Sequence, residues 1–154
     1  MPADQRKYFT VGEANAMLEA VEARVLVALG ARQERQRAEQ GLQSYRRRLI
    51  LSGGVIPNAN RMGAYEDQAK LAHEQLTRAV NQLEDWGLEL RDLDRGLVDF
   101  PTRYRGQTVY LCYQIGEREV RYWHSQDSGF AGRQLIDETF LAEHQGGSPG
   151  DAVC

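Results

Sequence analysis

Between Asp92 and Arg133 acidic, basic, aromatic and glycine residues crowd together more densely than a bare scaffold needs. Asp94-Arg95-Gly96-Leu97-Val98-Asp99-Phe100-Pro101 is followed by Arg121-Tyr122-Trp123-His124 and then by Gly129-Phe130-Ala131-Gly132-Arg133. Three chemistries are open to these residues. Arg121 and Arg133 carry planar guanidinium groups that can hold a carboxylate or phosphate, and backbone amides beside the glycines around Phe130 can assist them. His124 could act as a general base, because its unperturbed pKa lies near 6.5 and Asp99 or Asp127 could orient its ring. The third is structural: Asp92, Asp94 and Asp99 could all be neutralised by Arg91, Arg95, Arg121 and Arg133.

The expected function is binding of a small anionic ligand, or of an acidic group on a protein partner. Its candidate ligand-binding set is Asp94, Arg95, Asp99, Arg121, Trp123, His124, Asp127 and Arg133. In that arrangement Arg121 and Arg133 hold the anion, Trp123 walls the pocket and His124 is set by a carboxylate. Two other readings stand beside it, a protein-interaction scaffold that uses the helices and a hydrolase-like enzyme that uses His124 with an aspartate. Whether the chain is an enzyme is left open. No metal is expected, since His73 and His144 share no ligand spacing with His124 and a zinc site would have to draw on carboxylates or Cys112. No P-loop, dinucleotide fingerprint or nucleophile elbow occurs, so no cofactor is expected either.

Such a cluster needs elements to carry it. Thr10 and Glu13 form a capping box, in which the hydroxyl and the carboxylate each satisfy the other residue's backbone amide. Behind it Val11, Ala14, Leu18, Val21, Val25 and Ala28 recur in steps of three and four, and the rhythm resumes from Ala31 to Leu49. One helix is therefore predicted to about Leu51. Ser52-Gly53-Gly54-Val55-Ile56-Pro57-Asn58 reads as a turn. A second helix follows, with Met62, Tyr65, Ala69, Ala72, Leu76, Ala79, Leu83 and Trp86 on one stripe and Gly87 at its end.

After Gly87 the period falls to two. Strands are predicted at 88–91, at 97–100 with Pro101 as terminator, at 108–115, and at 119–124 after a tight turn through Gly116-Glu117-Arg118. Val109, Leu111 and Ile115 are assigned to the helix-facing side, leaving Tyr110, Cys112, Arg121 and Trp123 together on the other. The expected fold is α+β, a long antiparallel helical hairpin packed on a small, mostly antiparallel sheet of about four strands. As domains, residues 1–144 form a single unit, with the hairpin at 10–86 and the meander and site loop at 88–136. A disordered tail at 145–154 completes the chain.

Composition narrows the partners. The formal charge of 154 residues is −3, so no overall field draws the chain to nucleic acid or anionic lipid. Arg32, Arg35, Arg37 and Arg46 to Arg48 suggest RNA, but Glu34 and Glu39 interleave with the first of them and nucleic acid is disfavoured. There is no apolar leader and no run near the roughly 20 residues needed to cross a bilayer, so the expectation is a cytoplasmic protein without membrane contact. Cys112 and Cys154 are expected as thiols, and a homo-oligomer could form through the helical arm.

Several stretches in the same order resemble a bacterial family, the domain of unknown function numbered twenty-two-oh-three. They are Tyr8-Phe9-Thr10-Val11, the run from Asp92 to Pro101, Val109-Tyr110-Leu111-Cys112, Arg121-Tyr122-Trp123-His124 and Gly129-Phe130-Ala131-Gly132-Arg133. The resemblance implies an uncharacterised protein and brings no activity, cofactor or catalytic residue with it.

Overall fold

A computed structural model describes residues 6–54 and 59–147. The fold is α+β, with two long antiparallel helices and a five-stranded antiparallel sheet in the order β1-β2-β3-β4-β5. Helix α1 spans Val11–Leu51 and α2 spans Ala59–Asp85. Both ends of the capping box are made, from Glu13 N–H to Thr10 Oγ1 at 3.1 Å and from Thr10 N–H to Glu13 Oε1 at 3.1 Å. The expected turn between the helices lies partly outside the described residues, at 55–58.

The residues group into two compact units, 26–80 and the remainder. In the 26–80 unit Arg35 meets His73 Nδ1 at 2.9 Å and Gln68 donates to Glu34 at 3.1 Å, while Gly41, further along α1, packs on Tyr65, earlier on α2 than either, as antiparallel helices require. A side chain at Gly41 would place its Cβ 2.5 Å from the Tyr65 ring, which is why this close approach requires glycine. Ala31, Ala38, Tyr45, Ala72 and Ala79 are buried here as the three-four spacing requires.

The other unit contains the start of α1, the end of α2 and the sheet: β1 Glu89–Asp92, β2 Leu97–Tyr104, β3 Gln107–Gln114, β4 Tyr122–Ser125 and β5 Gln134–Leu135, followed by the short α3 Glu138–Glu143. Its core lies on the sheet face bearing Val98, Phe100, Thr102, Val109, Leu111 and Tyr113. Phe9 meets Phe100 edge to face at 5.5 Å, and Asn15 of α1 accepts from the Val120 amide at 2.8 Å.

Three expectations change. Pro101 does not end β2. Its carbonyl accepts from Phe9, so its missing N–H also points away from β3, on a side where β1 has already stopped. Residues 115–121 make no tight hairpin, and the longer connection shifts the register of β4 by one residue: Tyr110 opposes His124 and Cys112 opposes Tyr122. Trp123 therefore opposes Leu111 and turns to the core face, not to the face of Tyr110 and Cys112. Finally, Gln145 exchanges backbone hydrogen bonds with Arg103 and Gly147 with Tyr8, so order continues past residue 144, and 148–154 lie outside the described residues.

Candidate functional site

Strand alternation and register gather the chemistry on the sheet face opposite the core. Asp99 opposes Cys112, Cys112 opposes Tyr122, and Tyr110 opposes His124, which places all five side chains on one side. Residues 125–133 cross this face. The Arg133 guanidinium lies 4.1 Å from the Tyr122 ring centre and 4.8 Å from that of Phe130, and its Nη2 donates to both oxygens of Glu117 at 3.0 Å. This clamp pins the loop over the sheet.

Beneath the loop Asp99 is the hub. Its Oδ2 accepts from His124 Nε2 at 2.9 Å and from Arg91 Nε at 2.8 Å, although only 1% of its side chain is exposed. The other imidazole nitrogen, Nδ1, lies 2.8 Å from the Ser125 carbonyl. A carbonyl only accepts and an ionised carboxylate only accepts, so beside an ionised Asp99 this geometry favours a proton on both ring nitrogens, the imidazolium form of His124. The hydrogen bond to Asp99 raises the His124 pKa, burial opposes it, and the Ser125 carbonyl adds to the rise. Burial likewise works against the Arg91 charge, but Asp99 and Glu89 outweigh it and its pKa is raised. Tyr110 stacks on the imidazole at 5.6 Å, and Arg91 covers the Tyr110 ring at 4.7 Å.

A cavity of about 140 Å³ lies between this cluster and the loop. Arg91, Asp99, Cys112 and His124 form its polar side, and Leu97 and Phe130 its apolar side. Asp99 Oδ1 is buried and makes no hydrogen bond among the described residues.

The expected site residues divide. Asp99 and His124 meet in the cavity wall. Arg133 backs Phe130, and Arg95 lies on the same ring at 5.6 Å while pairing with Asp92. Arg121 is exposed and bonds Glu119 at 3.1 Å, away from that wall. Asp94 and Asp127 are exposed, and Asp99 rather than Asp127 orients His124. Trp123 cannot wall this cavity, because on the opposite face it stacks against Phe140 at 5.0 Å and Tyr104 at 5.3 Å. Arg91 and Cys112 were missing from the expected set. The two-residue alternation from Asp99 and from Tyr110 marks their face, once the register is known.

Asp99, Cys112 and His124 bring an oxygen, a sulfur and a nitrogen within 4.8 Å of one another. The surroundings suit protons better than a metal ion. Imidazole Nε2 is spent on Asp99, Arg91 places a second cation on the same carboxylate oxygen, and burial together with Asp99 pushes the Cys112 thiol up to about 12. At neutral pH Cys112 is therefore a protonated thiol and a poor nucleophile.

Fold and site define an α+β protein with a buried carboxylate–imidazole pair joined by a half-exposed guanidinium beneath a clamped loop. A family described as an uncharacterized conserved protein, DUF2203, matches residues 7–136, and the chain belongs to it. Among curated proteins and solved structures nothing matches.

Proposed function

We propose that this protein binds a small anionic ligand in the cavity beneath residues 125–133, with Arg91 and His124 supplying the attraction. The observation that carries the reading is the make-up of the cavity wall, where the Arg91 guanidinium and the His124 ring, a second cation in its protonated form, share one carboxylate, Asp99. Glu89 also pairs with Arg91, but it does so from the solvent side, where water screens the charge. Inside a small cavity the uncompensated cation is worth more than it would be on the surface. The candidate set narrows accordingly to Arg91, Asp99 and His124, with Arg95 and Arg133 acting indirectly through Phe130.

No described helix is long and apolar enough to cross a membrane, and the ligand on this reading is a soluble metabolite of the cytoplasm. The expected experiment is a thermal-shift titration with isobutyrate. Saturable binding to the folded state raises the apparent stability by mass action, about 2.7 kcal/mol at a hundredfold excess over Kd. Arg91→Ala should abolish the rise while Arg121→Ala keeps it, and an equal response from both variants would sink the site.

A second reading, a protein-interaction scaffold or homo-oligomer built on the helices, has its own support. Ile50 and Leu51 are 78% and 81% exposed beside Arg46 to Arg48. Hydrolysis draws less support, since an imidazolium with both nitrogens donating cannot accept a proton until it loses one.

A further inference from the structure

We infer that the end of the helix pair where α1 finishes and α2 begins docks peripherally on an anionic lipid surface, with Arg46, Arg47, Arg48 and Arg61 against the headgroups and Ile50 and Leu51 entering between them. The inference is independent of the cavity beneath residues 125–133.

The expectation of no membrane contact rests on the absence of a spanning run and on an overall charge of −3, and neither bears on a local patch. From Gln40 to Tyr65 the sequence carries four arginines and no lysine, aspartate or glutamate, a local charge of +4. Earlier on α1 the arginines are neutralised along the helix, Arg35 by Glu39 at 3.0 Å and Arg37 by Glu34 at 2.9 Å. Arg46, Arg47, Arg48 and Arg61 are exposed and make no ion pair among the described residues. Arg61 stands four residues before Tyr65, and Tyr45 four after Gly41. Because Tyr65 packs on Gly41, the four cations come to the same level of the antiparallel pair.

Helical spacing sets an apolar pair among these charges. Ala38 and Tyr45, seven residues apart and buried, mark the side of α1 that faces α2. On the outward side Arg47 precedes Ile50 and Leu51 by three and four residues, Arg46 precedes Ile50 by four, and Arg48 precedes Leu51 by three. Ile50 and Leu51 are the most exposed large apolar side chains among the described residues. Aliphatic groups held in water beside cations suit the boundary between headgroups and acyl chains, where the charges attract anionic lipid and the apolar groups leave water.

Other occupants fit less well. Surfaces that grip single-stranded nucleic acid stack bases on aromatic rings, and the two aromatics of this stretch are turned inward, Tyr45 buried and Tyr65 against Gly41. Ile50 and Leu51 would gain nothing from phosphate. A second copy meeting this end about a two-fold axis would set arginine against arginine.

Cosedimentation of the intact protein at low salt with vesicles of equal parts phosphatidylserine and phosphatidylcholine tests the surface. The expected result is binding to these vesicles and none to phosphatidylcholine alone. Arg46→Gln, Arg47→Gln and Arg48→Gln should each weaken it about fivefold, the effect of one cation near the membrane. The Ile50→Ser, Leu51→Ser double variant should weaken it about tenfold or more. Arg121→Gln, whose arginine pairs with Glu119 outside this stretch, should leave it unchanged. Absence of binding to the anionic vesicles would overturn the inference. Tighter binding to a duplex RNA, unaffected in the double variant, would assign the surface to nucleic acid, and self-association lost in the double variant would assign it to a second copy. Either result overturns the lipid reading.

Discussion

Asp99→Ala is expected to destabilise the protein by about 3 kcal/mol, the lower end of the loss caused by removing one partner of a buried charge pair. The lower end applies because the two cations left behind differ in their escape routes. Arg91 has 46% of its side chain exposed and can rehydrate, whereas His124, at 5%, must shed a proton to remain buried. Chemical denaturation should show an earlier midpoint with an unchanged slope. Asp99→Asn, which keeps the shape and an acceptor, should lose less. A loss below about 0.5 kcal/mol for Asp99→Ala, the range of ordinary surface changes, would mean that the cluster contributes little to the fold.

Phe100→Ala tests the other face of the same strand. Phe100 is fully buried, its ring meets Phe9 at 5.5 Å, and the next residue's carbonyl receives the Phe9 amide, so one side chain links the entry to α1 with the centre of the sheet. Truncation should cost about 3 to 5 kcal/mol through lost contacts and the cavity left behind. Phe100→Leu should recover much of this by refilling the space. If the alanine variant unfolds at the wild-type denaturant midpoint, the packing of Phe9 on the sheet is not what holds this unit together.

Much of this architecture is legible in the residues themselves. Capping by Thr10 and Glu13, the unbroken stripe of α2 and the alternation of Val109 to Tyr113 are local signals, and local structure follows them. The site was only half legible, because its composition depends on a register that no local pattern specifies. Asp99 and His124 could be named as partners from their chemistry. Which neighbours joined them turned on whether Tyr110 opposes His124 or Trp123, a one-residue choice that moves every side chain of β4 to the opposite face. Residues 115–121 decide it by forming a connection longer than a tight turn, with Val120 tied to Asn15. Arg91 was legible only as one of several arginines able to neutralise Asp99; that it is the partner follows from Glu89 opposing Asp99, a register that places Arg91, two residues on, on the same face.

The anion site depends on His124 being charged at neutral pH, since a neutral imidazole would leave Arg91 and Asp99 to cancel. An NMR titration of the His124 imidazole, assigned with His124→Gln, tests this directly. The predicted midpoint lies above the ordinary value near 6.5, because Asp99 and the Ser125 carbonyl both favour the protonated ring. The associated stability is then fully present below about pH 6.5 and is lost as pH rises through the folded pKa, since the folded state holds the proton more tightly than the unfolded chain. In Asp99→Asn the midpoint should fall. A wild-type midpoint at or below 6.5 would mean that burial outweighs the carboxylate, leaving a neutral ring in the cavity wall and contradicting the proposed site.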